Sequence, residues 1–98
     1  MSERYFEGIG RRKESSARVR LSNGSGKFIV NEKELDAYFT RHGDTNTILA
    51  PFAASGEKQA SYDVSVLVKG GGVTGQTDAV MLGLARALIK FNPELQPA

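Results

Sequence analysis

Cysteine is missing from this chain of 98 residues, and histidine occurs once. The absence of cysteine excludes disulfides and thiolate metal sites, and it fits a reducing compartment. The single histidine, His42, lies among polar residues and is expected to be a solvated loop residue rather than a catalytic group. No apolar run approaches the length of a membrane span. We therefore expect a soluble intracellular protein.

Net charge is also low, at +2, but the positive charge is concentrated in one segment. Residues 10–20 carry one acid, Glu14, against five cations: Arg11, Arg12, Lys13, Arg18 and Arg20. The rest of the chain is nearly balanced. A concentrated basic segment on a nearly neutral body suggests a specific contact with a polyanion, although composition alone equally allows a solvated hairpin.

Glycine is plentiful, and the stretch Lys69–Thr77 is rich in it. A strand pattern precedes this stretch and an amphipathic helix pattern follows it. Glycine lets a ligand approach the main chain, and the first amides of a helix have no internal partner. Together with the positive end of the helix dipole, these amides favour phosphate. The stretch is predicted to be an anion site.

The first half of the chain predicts strands joined by tight turns. Residues 5–9 form a short apolar run that is expected to stop at Gly10. From Ala17 apolar and polar residues alternate, which predicts a half-buried strand with Arg18 and Arg20 on its outer face. The dipeptide Asn23-Gly24 predicts a tight hairpin turn, with Phe28 and Val30 on the core face of the returning strand.

The middle of the chain predicts two short helices. Asn31 and Glu34 have the spacing of a capping box at the start of the first, which places Leu35, Tyr38 and Phe39 on one side. Residues 41–46 are polar and loop-like. Residues 47–54 are apolar enough for a second helix, with Pro51 acceptable only near its first turn or at a kink.

The last part predicts a strand over residues 62–68 and a long helix after the glycines. The core stripe of this helix comprises Val80, Gly83, Leu84, Ala87, Leu88 and Phe91. A second stripe beside it comprises Gln76, Ala79, Gly83, Arg86 and Lys90. Its small residues leave room for a backbone to approach, and its polar residues supply donors. Because the glycine loop heads this stripe, we interpret it as a ligand-binding face rather than an ordinary wet face.

One candidate ligand is a nucleotide. Gly70-x-x-x-x-Gly75-Gln76-Thr77 matches the spacing of a P-loop, except that Gln76 stands where a lysine is needed. A neutral amide does not supply the charge that the β and γ phosphates require. A small phosphate- or nucleotide-binding enzyme using the loop Gly-Gly-Gly-Val-Thr-Gly-Gln-Thr remains the alternative.

The other candidate is the phosphate backbone of a nucleic acid. Holding phosphates requires donors but no catalytic lysine, and structured RNA is recognised largely through its shape and backbone. The aromatic residues are mostly explained by core patterns, so no platform for stacking single-stranded bases is evident. A third interpretation is a protein-interaction module whose basic strand docks an acidic partner.

Several motifs follow one another over nearly the whole chain: Gly8 to Lys13 with Ser16 to Val19, Gly24 to Lys27, Val30-Asn31, Tyr38-Phe39, and Val68 to Gln76 followed by Ala79, Gly83 and Ala85 to Leu88. In this order they resemble the motifs of the bacterial-type small-subunit ribosomal protein S-nine family. Each motif is weak alone, but the ordered set is highly specific.

This resemblance implies an α+β fold with a two-layer arrangement, a β-sheet with helices on one face. It is like the second domain of ribosomal protein S-five, with a left-handed βαβ crossover in place of the usual right-handed one. It also implies a non-enzymatic structural constituent of the small ribosomal subunit in the cytoplasm. Such a protein binds rRNA in the head, in the 3′ major domain near the P site, beside other head proteins. No cofactor, small-molecule substrate or membrane is implied.

The residues and the resemblance together give the RNA-binding candidates. They are Arg11, Arg12, Lys13, Arg18, Arg20, Lys69, Gly70, Gly71, Gly72, Thr74, Gln76, Arg86 and Lys90. Family members continue into a basic tail that reaches the P-site tRNA, whereas this sequence stops at residues 95–98. We therefore expect residues 1–98 to be one globular body without that tail, and tRNA contact to belong only to the missing tail.

Overall fold

The protein folds into a five-stranded sheet with helices packed on it. The computed structural model describes residues 5–92. The expectation that the globular body stops before a basic tail concerns residues 93–98, which lie outside the described residues. The strands are β1 (Phe6–Arg12), β2 (Ser15–Asn23), β3 (Phe28–Val30), β4 (Lys33–Glu34) and β5 (Tyr62–Lys69). The helices are α1 (Leu35–Tyr38), α2 (Asp44–Ser55) and α3 (Val73–Phe91), with a 3₁₀ turn at Gln59–Ser61.

The strand order is β1-β2-β5-β3-β4, and the sheet is mixed. Strand β2 lies antiparallel to both β1 and β5, whereas β3 is parallel to β5. The parallel pair is joined by a crossover that carries α1 and α2. The expected α+β class, with helices packed on the sheet, is confirmed. The left-handed crossover and the likeness to ribosomal protein S-five remain predictions.

Side-chain alternation divides the sheet into a buried face and an open face. On β2, Ala17, Val19 and Leu21 are at most 2% exposed, and Arg18 and Arg20 on the opposite face are exposed, as predicted. Strand β5 follows the same rule, with its valines buried. Helix α3 packs over β1, β2 and β5 and contributes Val80, Leu84, Ala87 and Leu88 to the core.

Strand β1 is longer than its sequence predicted. Instead of stopping at Gly10 it continues through Arg12, because Arg11 and Arg12 pair with Ser16 and Ser15 of β2. The chain reverses at Lys13, whose φ of 58° is in the left-handed region. The basic cluster is therefore the tip of a β-hairpin rather than a loop that follows a strand.

The predicted hairpin at Asn23-Gly24 is wrong, because β5 lies between β2 and β3. The amides of Gly24 and Gly26 donate to the carbonyls of Ser61, which ends the 3₁₀ turn, and Tyr62, which begins β5. The carboxylate of Asp63 accepts from two more loop amides, which lowers its pKa. The turn residues thus bind a strand that is distant in sequence, although Phe28 and Val30 are buried as expected.

The predicted capping box is also wrong. Asn31 and Glu32 have φ values of 48° and 69° and form the two-residue turn between β3 and β4. Positive φ at both central residues is the geometry that a tight hairpin requires. Helix α1 still forms after this turn, but its N-cap, Glu34, makes no side-chain cap hydrogen bond.

The second predicted helix exists, but it starts earlier, at Asp44, and holds Pro51 in its interior. The sequence therefore predicted the helix but misplaced its start and the position of the proline. Because proline has no backbone N–H, a helix loses at an interior proline the hydrogen bond to the carbonyl four residues earlier. Burial of Ile48 and Phe52 against the core opposes that loss.

Candidate nucleic-acid interface

The glycine loop after β5 is shaped by contact with the β1–β2 turn. Gly70 and Gly71 have φ values of 82° and 63°, a region in which residues other than glycine are strained. A Cβ atom on Gly70 would collide with the backbone carbonyl of Glu14, and one on Gly71 with Ser15 Oγ. Gly72 differs, since its φ is −94° and its Cβ position is open. The loop thus requires glycine at Gly70 and Gly71 for packing against the turn.

Side chains from three elements hold this loop in place. The carbonyl of Gly70 accepts from Ser15 Oγ at 2.8 Å and from Gln76 Nε2 at 3.1 Å. Gln76 Oε1 accepts from the Tyr38 hydroxyl at 2.9 Å, and Asn31 Nδ2 donates to that hydroxyl at 3.3 Å. The side-chain amide of Gln76, which the sequence analysis predicted to bind RNA, is therefore hydrogen-bonded to other groups of the protein. Its observed role is to position the loop, and a contact with RNA remains a prediction.

The first turn of α3 presents an uncapped N-terminus to solvent. Gly72 is its N-cap and makes no side-chain cap hydrogen bond, and Val73 and Thr74 are exposed. The unpaired donors of a first turn and the helix dipole both favour an anion at this position. Thr74 Oγ1 accepts from Arg41 Nη1 at 2.9 Å, so this turn is also held from outside.

Arg41 links the N-termini of α2 and α3. Its guanidinium donates from Nε and Nη2 to both carboxylate oxygens of the buried Asp44, each at 2.9 Å. These hydrogen bonds lower the pKa of Asp44, although burial acts in the opposite direction. Arg41 was assigned to a polar loop and missed as a positioning residue. The Arg-x-x-Asp spacing before an apolar helix was the available signal.

The cations of the β1–β2 turn lie beside the glycine loop. Arg11 and Lys69 both pair with Ser16, so they lie on the open face at the same end of the sheet. Arg12 projects to the helix side, where its Nε is 3.5 Å from Asp78 Oδ2. Lys13 is exposed at the tip. We call the assembly of Arg11, Arg12, Lys13, Lys69 and residues 70–74 the loop-end site.

Arg18 and Arg20 lie outside the loop-end site, further along β2 on the open face. Both approach Glu7 Oε2, Arg18 with its Nε at 2.8 Å and Arg20 at 3.8 Å. Arg20 also lies 5.0 Å from the ring centroid of Tyr5. Their charge is therefore partly balanced within the sheet.

The second stripe of α3 is not a continuous surface, and ligand binding by its polar residues, Gln76, Arg86 and Lys90, stays a prediction. Ala79 is fully buried, and Cβ atoms added to Gly8 and Gly10 of β1 would collide with backbone carbonyls of Gly83 and Ala79. The backbone that approaches the small residues is that of β1. Arg86 and Lys90 remain exposed at the far part of the helix, where Arg86 Nη1 donates to the carbonyl of Ile9.

Residues 5–92 contain no group of three or more His, Cys, Asp or Glu side chains that could hold a metal ion. Nor does this part of the chain include a helix with the length and apolar character of a membrane span.

A family model described as Ribosomal protein S9/S16 matches residues 10–98, a range that contains the β1–β2 turn, the glycine loop and α3. The chain belongs to the ribosomal protein S9/S16 family. The resemblance drawn from the ordered motifs is thereby confirmed.

Curated relatives in the ribosomal protein S9/S16 family extend beyond the length of this chain. The small ribosomal subunit protein uS9 of Mycobacterium ulcerans (strain Agy99) is 48% identical over 96 residues, covering 98% of this chain and 62% of the relative. The protein of the same name from Mycoplasmoides gallisepticum is 46% identical over 92 residues, covering 93% of this chain and 69% of the relative. The chain thus spans less than two thirds of the M. ulcerans protein.

In this S9/S16 family member, the glycine loop is supported by side chains whose role in holding the loop no sequence pattern indicated. Asn31 is one of them: its side chain donates to the carbonyl of Val68 and accepts from the amide of the same residue, both at 2.9 Å. Ser15 and Tyr38 are others. Their partners lie 37 to 55 residues away in the chain, so no local pattern indicates these contacts.

Proposed function

We propose that this chain is a structural, non-catalytic constituent of the small ribosomal subunit that binds rRNA in the head, in the 3′ major domain near the P site. It acts in the cytoplasm, beside other head proteins. The observation that carries the proposal is the loop-end site, where exposed cations of the β1–β2 turn meet an uncapped helix N-terminus behind a glycine loop. Both features favour phosphate oxygens.

The site is suited to holding a phosphate rather than transferring it. Gln76 occupies the position of the P-loop lysine, and its amide is bonded to Gly70 and Tyr38. Lys69, Arg11 and Lys13 are exposed and placed to neutralise backbone phosphates. Since the loop is held by Ser15 and Gln76, little ordering is needed on binding, which favours affinity.

The remaining candidate cations have secondary roles in this proposal. Arg18 and Arg20 extend the positive surface along β2, and Arg86 and Lys90 lie about 18 Å and about 24 Å along α3 from Thr74, as a rise of 1.5 Å per residue gives. They suit neighbouring segments of a large RNA rather than the same phosphates. The proposal assigns no tRNA contact to residues of this chain.

Equilibrium binding of the full chain to head-domain rRNA tests the proposal. The paired substitution Arg11→Ala with Lys13→Ala removes two exposed phosphate contacts, each worth up to about 1 kcal/mol, and is expected to weaken binding by about tenfold. The matched control, Lys33→Ala with Lys58→Ala, removes two exposed cations away from the site and should leave affinity within about twofold. Equal losses in both pairs, or no binding by the unsubstituted chain, would refute the proposal.

A further inference from the structure

The open face of the sheet carries an apolar and basic row at its centre. Arg18 of β2 pairs with Ile9 of β1 on one side and with Leu67 of β5 on the other. Leu67 is 58% exposed although β5 is the middle strand of the sheet. A large exposed aliphatic side chain between cations, on the face opposite the helices, indicates a contact surface.

The rows on either side of Arg18 add mainly positive charge. The row nearer the loop-end site is Arg11, Ser16 and Lys69, with its two cations separated by two strand spacings, about 9.6 Å. The row on the other side is Glu7, Arg20 and Ser65. Together with the row of Arg18, these rows hold four cations and one carboxylate across β1, β2 and β5, and Glu7 is already shared by Arg18 and Arg20.

A shallow groove runs over this face and ends at the loop-end site. Its lining includes Ile9, Arg18 and Leu67, and also Arg11 and Lys69, which belong to the loop-end site. The residues that line the groove include no Asp or Glu, so a single strand of nucleic acid bound at the glycine loop could continue into it.

We propose that the open face is a second RNA-binding surface, in which a base or ribose packs on Leu67 and the Arg18 guanidinium while Arg11 and Lys69 hold the flanking phosphates. This inference rests on the proposed function and extends it to a surface of different chemistry. Unpaired RNA segments are commonly bound by stacking on flat or apolar side chains beside cations.

An acidic peptide is the competing occupant, and two features disfavour it. Peptides commonly join a sheet at its edge, but the β1 edge carbonyl of Ile9 already accepts from Arg86. The groove is also continuous with a site built for phosphate, through Arg11 and Lys69. The occupied edge carbonyl and the continuity of the groove therefore both favour RNA.

Substitution of Leu67 tests the apolar half of the surface. Leu67→Ser removes a packing contact without charge, and is expected to weaken binding of head-domain rRNA by about tenfold while leaving the salt dependence unchanged. Leu67→Met retains an apolar side chain and should restore most of the affinity. Because Leu67 is exposed, both variants should keep the thermal midpoint of the parent chain, which circular dichroism checks.

Arg18→Gln tests the guanidinium half of the surface and should weaken rRNA binding with little change in the slope of log affinity against log salt, because Arg18 packs on a base or ribose and its charge is already paired with Glu7. Lys33→Gln is the control and should leave the affinity unchanged. If Leu67→Ser lost affinity for an acidic peptide but kept its affinity for RNA, the surface would be assigned to a protein partner. That result would overturn the inference.

Directed cleavage locates the RNA independently of affinity. The chain has no cysteine, so Ser65→Cys on the open face offers one attachment point for an iron–EDTA probe, and Ala54→Cys on α2 is the control. Cleavage of bound rRNA from position 65 and not from position 54 is expected. If Arg11→Ala with Lys13→Ala weakens binding but Leu67→Ser does not, and position 65 gives no cleavage, the inference fails while the proposed function stands.

Discussion

At the scale of single residues, the glycines of the loop have different reasons to be glycine. The φ of Gly70 is in the left-handed region, and a Cβ atom there would collide with a backbone carbonyl. Gly72 has an extended backbone, and a Cβ atom there would meet no other atom. Sequence reasoning identified the run but treated its members alike. The distinction depends on Glu14, which is 56 residues from Gly70 in the chain and contacts it only because β2 pairs with β5.

The same substitution at these two glycines should have opposite consequences. Gly70→Ser forces a side chain into a strained backbone region and is expected to lower the free energy of unfolding by about 1–3 kcal/mol. Gly72→Ser places a favoured residue at the N-cap of α3 and should change stability by only a few tenths of a kcal/mol, towards higher stability. Urea denaturation of both variants measures the difference. Equal destabilisation would contradict the loop geometry.

Other residue-level features were predictable because they are local. Alternation on β2 and β5 predicted which side chains are buried, since a strand turns successive residues to opposite faces. Asn31 shows the limit of such reasoning. Its spacing to Glu34 fitted a capping box, but its side chain bonds to Val68 of β5 and its backbone makes a turn.

At the scale of elements, the site depends on how α3 is placed against its neighbours. Its small residues let β1 approach closely, and Arg41 joins its first turn to α2. The strong helix pattern predicted α3 itself, but it could not identify which backbone approaches the small residues. The strand order could not be predicted from local sequence either. Asn23-Gly24 is typical of a hairpin turn that would pair β2 with β3, but β5 lies between these two strands.

The Arg41–Asp44 contact predicts a pH-dependent link between α2 and α3. The hydrogen bonds from Arg41 lower the pKa of Asp44 below its usual 3.8, so the stabilisation is present above that pH and is lost as pH falls through the lower folded-state pKa. Asp44→Asn is expected to lower the thermal midpoint at pH 7 by about 5 °C, the value of roughly one hydrogen bond in a chain of this size.

The difference in thermal midpoint between Asp44→Asn and the parent chain should narrow as pH falls below 3.8 and through the lower folded-state pKa, where the folded parent also loses the charge. Thermal unfolding followed between pH 7 and acid pH measures this. Asp36→Asn, a change at an exposed carboxylate of α1, is the control and should give a small, constant difference. If the difference in thermal midpoint between Asp44→Asn and the parent chain stayed constant or widened in acid, the pH-dependent link between α2 and α3 would be contradicted.

At the scale of the whole molecule, charge distribution and fold act together. The net charge is only +2, but the tip of the β1–β2 hairpin is strongly basic. The fold places that tip beside the loop between β5 and α3. Composition located the cations, and the motif located the glycine loop that we propose binds phosphate. Only the pairing of β2 with both β1 and β5 joins them into one site, and it leaves Arg86 and Lys90 elsewhere.

The salt dependence of rRNA binding tests most directly whether the turn and the glycine loop act as one phosphate-binding site. Association of the full chain with head-domain rRNA should weaken steeply with salt, because each neutralised phosphate releases counterions. Arg11→Ala with Lys13→Ala should reduce the slope of log affinity against log salt by about two, since each lost phosphate contact removes about one. Lys33→Ala with Lys58→Ala should leave it unchanged. Slopes that are equal in all three proteins, or binding that ignores salt, would contradict the account.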